Sequence, residues 1–293
     1  MTCPTRRERA LALANAIAYL DQRLKRRGAE IRKFQPKASG AVLLESYDCG
    51  KNCLGCAHYR WGLWIAHPGR WPGGRTAFLC HRVRYPLRHL PRPGRRRTSP
   101  AAADEEAPGR VILLQVLISE TQSLIRTRTS LVRALDRLRR ANAAAKAALQ
   151  VNTPGTAPHR PVGATADARP PIDPQARRLA AALDAVRTLE RIDQRLLAIA
   201  SDLRKTPAAR RGRLQLRQTA AARWVWVTLD YTHGSRLRVP HPVEITDPGR
   251  RVHGDEHARA LVRKARRLLD ARRRLITTFA NASRLSSRIV GRY

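Results

Sequence analysis

Leu117-Ile118-Ser119-Glu120-Thr121-Gln122-Ser123-Leu124-Ile125-Arg126-Thr127-Arg128-Thr129-Ser130-Leu131-Val132 sets three apolar doublets seven residues apart, with polar residues between them and Leu138 following in phase. Apolar pairs recurring every seven residues form one stripe along a helix, and such a stripe is buried only against another helix. The pattern predicts a helix from about Val111 to Leu149. The same spacing returns near the other end of the chain as Leu261-Val262, Leu268-Leu269 and Leu275-Ile276, predicting a second long helix from Asp255 to about Ile289.

Each of these helices is preceded by similar material. Leu11, Leu13, Ile17, Leu20, Leu24 and Ile31 are spaced near three and four, which predicts an amphipathic helix over Arg7 to Arg32. Trp61, Leu63 and Ile65 then alternate with smaller or wetter positions, a Pro/Gly turn spans His67 to Gly74, and Thr76 to Val83 is strand-like again, so a β-hairpin is expected. A proline-rich loop follows over Pro91 to Gly109. In the second half a helix is predicted from Pro174 to Lys205, with strands near Arg223 to Tyr231 and Ser235 to Pro240. Asp21-Gln22-Arg23-Leu24 recurs as Asp193-Gln194-Arg195-Leu196, and Ile31-Arg32-Lys33 as Leu203-Arg204-Lys205, at one offset. Shared element order together with local identity points to an internal duplication.

The fold expected is therefore α+β and predominantly α, with two tandem helix, β-hairpin, helix modules whose long helices pair in coiled-coil fashion. The first module is assigned to residues 1–150 and the second to 175–293. Residues 151–174, rich in Pro, Ala and Thr and without a hydrophobic period, are assigned to a linker.

Cys49-Gly50-Lys51-Asn52-Cys53-Leu54-Gly55-Cys56-Ala57-His58 holds three thiols in eight residues, with glycines that let the backbone turn tightly. Thiolates at that density suit a soft tetrahedral ion, and structural zinc takes four such ligands. The fourth is open among His58, Cys80 and His81. If Ala66 and Arg75 face each other across the hairpin turn, Cys80 falls opposite Trp61, beside the knuckle. The set expected is Cys49, Cys53, Cys56 and Cys80, with His58 as the alternative, holding zinc in a closed structural shell.

At this motif the sequence resembles an uncharacterised bacterial family associated with mobile elements, in which a Cys-Gly-Lys knuckle precedes an aromatic strand, a basic second strand and a long helix. The resemblance covers about residues 43–135. It departs from the family pattern at Cys53 and at Tyr59-Arg60-Trp61, where the family has a His-Gly-Pro-Tyr-type strand start. The stretch from Trp224 to Ala282 keeps the hairpin and helix without cysteines, so the resemblance implies one zinc-bearing and one zinc-free copy.

Charge sets the partner class. Lys and Arg total 58 against 22 Asp and Glu, for a net charge of +36. Self-repulsion on that scale is relieved by a polyanion, and neutralising nucleic-acid phosphates releases condensed counterions. Only seven of the basic residues are Lys, and Arg forks bind phosphate bidentately. The clusters expected to touch phosphates are Arg95, Arg96 and Arg97; Arg210, Arg211 and Arg213; Arg250 and Arg251; and Arg263, Lys264, Arg266, Arg267, Arg272, Arg273 and Arg274. Trp61, Trp64, Trp224 and Trp226 are expected mostly in the hairpin cores, leaving Trp71, in the turn, as the aromatic placed to stack on a base.

The function expected is nucleic-acid binding, with DNA favoured. The competing expectation is a coiled-coil scaffold, or a subunit of a larger ribonucleoprotein or DNA-processing assembly, with heptad helices serving a homo-oligomer or protein partner. Catalysis is not expected. His253-Gly254-Asp255-Glu256-His257 matches a His-x-x-Glu-His peptidase pattern, but Gly254 weakens the helix that must align the pair, and Asp255 and Glu256 read as first-turn acids of the last helix. No phosphate-binding glycine loop or Gly-x-Ser-x-Gly elbow occurs, and nothing nominates a small-molecule substrate. Met1 to Arg9 reaches charge at once and no stretch is apolar enough for a membrane span, so a cytoplasmic protein without membrane contact is expected, its thiols reduced. Cys3 is read as incidental.

Overall fold

The computed structural model describes residues 4–35, 39–49, 53–67, 77–90, 108–150, 173–207, 214–231, 240–252 and 254–290. Among the described residues are four long helices and two small antiparallel sheets: α1 (Arg6–Phe34), β1 (Val42–Tyr47), β2 (His58–His67), β3 (Ala77–Val83), α2 (Pro108–Gln150), α3 (Pro174–Lys205), β4 (Gln215–Gln218), β5 (Trp224–Tyr231), β6 (Pro240–Glu244) and α4 (Glu256–Val290). The fold is α+β and mostly α, as the periodicity predicts. A short 3-10 turn follows each sheet, at Pro86–His89 and Pro248–Val252, so helix, three strands, turn and helix occur twice in the same order.

Helix starts carry the chemistry their positions require. Thr5 caps α1 by accepting from Glu8 N at 3.2 Å, and Glu8 Oε2 accepts from Thr5 N at 2.7 Å, a reciprocal box that satisfies two end donors. Asp173 accepts from Gln175 N at 3.1 Å before α3, and Asp255 from Ala258 N at 2.9 Å before α4. Asp255 is thus a cap and Glu256 a first-turn acid paired with Arg259.

The sheets are three-stranded rather than hairpins. Order β1-β2-β3 in the first and β4-β5-β6 in the second puts the aromatic strands β2 and β5 at the centre. β1 pairs with β2 in a register of Val42 with Leu63 and Tyr47 with His58, so the cysteine knuckle is the connection between two paired strands rather than a segment leading into a hairpin. β2 pairs with β3 with Ala66 opposite Phe78 and Trp64 opposite Cys80. The turn between them is therefore longer than the expected register assumed.

By compactness the chain forms two units, one of Met1–Asp136, Ala168–Ala180 and Ala282–Tyr293, the other of Arg137–Asp167 and Ala181–Asn281. The division passes through α2, α3 and α4, whereas the sequence reading puts the break at 151–174. In the first unit Leu13, Ile17, Leu20, Leu24 and Ile31 of α1 are fully buried, with Ile118, Leu131 and Leu135 of α2. One member of each doublet in α2 is buried, Ile118, Leu124 and Leu131, which gives the narrow seam a heptad pattern encodes. In the second unit Val186, Leu189, Ile192 and Leu196 of α3 and Val262, Leu268 and Leu275 of α4 are buried, as are Leu216 of β4 and Trp226 of β5.

Trp61, Trp224 and Trp226 are buried strand residues, as expected of hairpin-core tryptophans, and Trp64 is half-buried. Trp71, Cys3, the 151–172 stretch of the linker and the loop bearing Arg95, Arg96 and Arg97 lie outside the described residues, as do Arg210, Arg211 and Arg213. Among the described residues no helix is long and apolar enough to cross a membrane.

Candidate metal centre

Cys49, Cys53, Cys56 and His58 bring one ligand atom each into a group whose members all lie within 4.8 Å of one another. β1 ends just before Cys49 and β2 begins at His58, so the paired strands fix both ends of the loop and bring its first and last ligands together. Cys49 Sγ lies 3.7 Å from Cys56 Sγ and 3.0 Å from His58 Nε2, and Cys53 Sγ lies 3.2 Å from the same nitrogen. Tetrahedral ligands at about 2.3 Å from a common centre stand about 3.8 Å apart. The set therefore suits one ion, after opening by a few tenths of an ångström at the imidazole.

Backbone amides support the thiolate form. Gly55 N donates to Cys53 Sγ at 3.2 Å and Cys49 N to Cys56 Sγ at 3.4 Å. Gly55 has no room for a side chain: a Cβ would stand 2.9 Å from His58 Cε1 and 3.2 Å from Val132 Cγ1. Burial pulls the Cys53 thiol upward, but hydrogen bonds from Cys49, the Gly55 amide and His58 outweigh it and leave it at about 7. Cys49 moves the other way, to about 12, first because of its hydrogen bond with Cys53 and then through burial. A divalent cation would favour the thiolate form of the cysteines that hold it. The Tyr47 ring stacks on His58 with centroids 5.3 Å apart.

Cys80 is not part of the group. Opposite Trp64, it sits on the sheet beside Gly62, where a Cβ would collide with its sulfur. Burial and then a hydrogen bond with Glu45 push its thiol up to about 11. The expected fourth ligand is therefore corrected from Cys80 to His58. A register displaced by three residues moves Cys80 along β2 and turns it to the opposite face. His81 is exposed and also outside the group.

Sequence reasoning missed what anchors the loop. Arg128 of α2 and Arg178 of α3, 4% and 1% exposed, both bind the carboxylate of Asp21 on α1, Arg178 Nη1 to Oδ2 at 2.8 Å and Arg128 Nε to Oδ1. Their remaining donors reach the knuckle backbone. Arg128 Nη2 donates to Gly55 O at 2.8 Å, Arg178 Nε to Leu54 O at 2.9 Å, and Arg178 Nη2 to Cys56 O. Three successive carbonyls are thus held by two buried guanidiniums. Tyr59 adds a hydrogen bond to Asp21 O at 3.2 Å, and burial, then the Asp21 charge, raises its phenol to about 12.

Charge counting explains why two arginines can be buried around one aspartate. Asp21, Arg128 and Arg178 carry one net positive charge, whereas three thiolates, a neutral imidazole and a divalent ion carry one net negative charge. Together they balance, which meets the requirement that buried charge be compensated. The available signal is Asp21 itself, one of three acids on the mostly apolar and basic α1 and the one inside the four residues that recur at Asp193.

The basic clusters divide. Arg251, Arg263, Arg267, Arg273 and Arg274 are exposed, and Lys264 is half-buried, with burial lowering its pKa. Arg250 and Arg266 share Asp247, at 3.3 and 2.6 Å, so they are not the unpaired cations the sequence suggests. Arg272 is a correction: it is buried, pairs with Asp193 through Nε at 2.6 Å and donates to Ala222 O at 2.9 Å, so it is a structural anchor rather than a phosphate contact.

Comparisons with protein-family models, curated proteins and solved structures find no match to this chain.

Proposed function

We propose that the protein binds nucleic acid, DNA in preference, through the phosphate backbone, and that a structural zinc ion at Cys49, Cys53, Cys56 and His58 holds the first sheet in its binding shape. The observation that carries the reading is the outward face of α4. From Glu256 to Val290 the helix has ten basic residues and two acidic ones, Glu256 and Asp270. Its buried seam takes Ala258, Val262, Ala265, Leu268 and Leu275, and Arg263, Arg267, Arg273 and Arg274 stand exposed with no ionic partner among the described residues. A row of unpaired guanidiniums on a rigid helix is what backbone contact needs, and it carries no base specificity. Three thiols with one imidazole favour zinc, because that donor set closes a tetrahedron without leaving a position for water. The reading is of a binding protein in the cytoplasm, where thiols stay reduced, and the knuckle's resemblance supports an association with mobile elements.

Titration of the full chain with labelled duplex and single-stranded DNA and structured RNA across salt tests this. Affinity is expected to fall linearly on a log–log plot against salt, and Arg263→Gln with Arg267→Gln, Arg273→Gln and Arg274→Gln is expected to lower the slope by about one for each phosphate no longer neutralised. A salt-independent affinity contradicts the reading.

One observation favours the scaffold reading. Ile112, Leu113 and Val116 of α2 are 51%, 55% and 49% exposed, a cluster of large apolar side chains that a protein partner would cover. Binding to nucleic acid only when a second protein is added would put that reading first.

A further inference from the structure

The first unit has a cavity of about 400 Å³ between α1 and β1, lined by Lys25, Gly28 and Arg32 on the helix side and Leu44, Ser46 and Arg60 on the sheet side. β1 is an edge strand. Trp64 N donates to Ala41 O, and Val42 N turns away from β2 to Gln35 Oε1 at 2.8 Å, so the alternation of an antiparallel ladder sends the amides of Leu44 and Ser46 to the open edge as well. Two main-chain donors thus line the same space as three cationic side chains. Glu45 also lines it, but its carboxylate accepts from Arg60 Nε at 2.8 Å; burial pulls its pKa upward, and Cys80 and Arg60 outweigh that and hold it below the usual carboxylate range. Lys25 and Arg32 are exposed and make no ion pair among the described residues.

At this place the first unit differs from the second by one cation and one missing side chain, while Arg32 is kept as Arg204. At the offset that aligns Asp21 with Asp193, Lys25 becomes Leu197, 55% exposed, and Gly28 becomes Ala200. A Cβ on Gly28 would meet Leu44 at 3.7 Å, ordinary contact, so the fold itself does not exclude a side chain there. Gly28 keeps the cavity floor open.

We propose that this cavity seats a phosphate group of a bound polynucleotide, with Lys25 and Arg32 neutralising it and the Leu44 and Ser46 amides donating to its oxygens. Oxyanions are well held where cations and unpaired backbone N–H groups converge. The inference rests on the nucleic-acid reading and adds a contact that none of the arginine clusters supplies.

The test uses the full, metal-loaded chain and a labelled oligonucleotide titrated across salt. Lys25→Gln with Arg32→Gln is expected to weaken binding about tenfold and to lower the salt slope by about one, for the one phosphate no longer neutralised. Gly28→Met, which keeps the charge and suits a helix, is expected to weaken binding by blocking the space. Arg26→Gln with Lys33→Gln removes the same charge from other positions on α1 and is expected to cost less. If the cavity variants match that control and Gly28→Met binds like the parent, the site is overturned while nucleic-acid binding stands. If the parent binds no polynucleotide, inorganic phosphate decides through the amide NMR signals of Leu44 and Ser46. Shifts lost in Gly28→Met keep the phosphate site and sink the polynucleotide; no shifts overturn both.

Discussion

The connection between the first two strands of each sheet is built in two ways. In the first unit it runs from Asp48 to Ala57 and carries the three cysteines; in the second it is Thr219 to Arg223, closed by Thr219 N to Arg223 O at 2.7 Å and Ala222 N to Thr219 O at 2.9 Å. Both are gripped alike. An aspartate on the preceding helix, Asp21 or Asp193, binds an arginine on the following one, Arg128 or Arg272, and that arginine donates to a carbonyl of the connection, Gly55 or Ala222. The short turn is held by its own hydrogen bonds and needs nothing more. The long one takes a second arginine, Arg178, and brings together a group of side chains that could hold an ion. A clamp of one geometry therefore carries either a short hydrogen-bonded turn or a long loop able to hold a metal.

The largest expected effect separates the two. A chelator strong enough to remove zinc is expected to lose protection from hydrogen exchange in β1 and β2 while β4 and β5 keep theirs, because structural zinc contributes about 10–16 kcal/mol to small domains that depend on it. Equal loss in both sheets would break the comparison. Next, Asp21→Ala and Asp193→Ala are each expected to destabilise by about 3–5 kcal/mol in denaturant unfolding, since each strands a buried guanidinium. Only the first is expected to lower metal affinity as well, by about 10- to 100-fold in competition with a chelating dye. Trp224 Nε1 donates to Asp193 at 2.9 Å, and Trp224→Phe is expected to cost about 1–3 kcal/mol by chemical denaturation without touching the metal. The smallest effect is Ala222→Gly. Ala222 has φ of 55°, a left-handed conformation that glycine adopts freely, and a gain of up to about 1 kcal/mol in thermal unfolding is expected.

Helices are legible in the sequence because their periods are long. The doublets at 117, 124 and 131 repeat often enough to outweigh any single residue, and all four helices fall within a few residues of their expected bounds. β1 and β4 are not: β1 is six residues long with its apolar side chains in one run that carries no alternation, and β4 is four residues long with one apolar side chain, Leu216. Without β1 the knuckle falls before a hairpin instead of inside a sheet, and the fourth ligand moves with it. His58 is fixed by its pairing with Tyr47, a long-range fact, whereas Cys80 follows only from counting across a turn of assumed length. Three of the four ligands need only local density. Arg178 reaches the loop from 122 residues beyond Cys56, and no local pattern marks one arginine among so many. Arg272 shows the converse: a run of three arginines looks uniform in sequence, yet one position falls on the buried seam and serves the fold.

We propose that Cys49, Cys53, Cys56 and His58, and not Cys80, hold one zinc ion. X-ray absorption at the zinc edge on the purified full chain tests it directly. The expected result is one zinc per chain with three sulfurs at about 2.3 Å and one nitrogen at about 2.0 Å in its shell, unchanged in Cys80→Ser. A shell of four sulfurs that loses one in Cys80→Ser, or a chain that holds no metal, would contradict it.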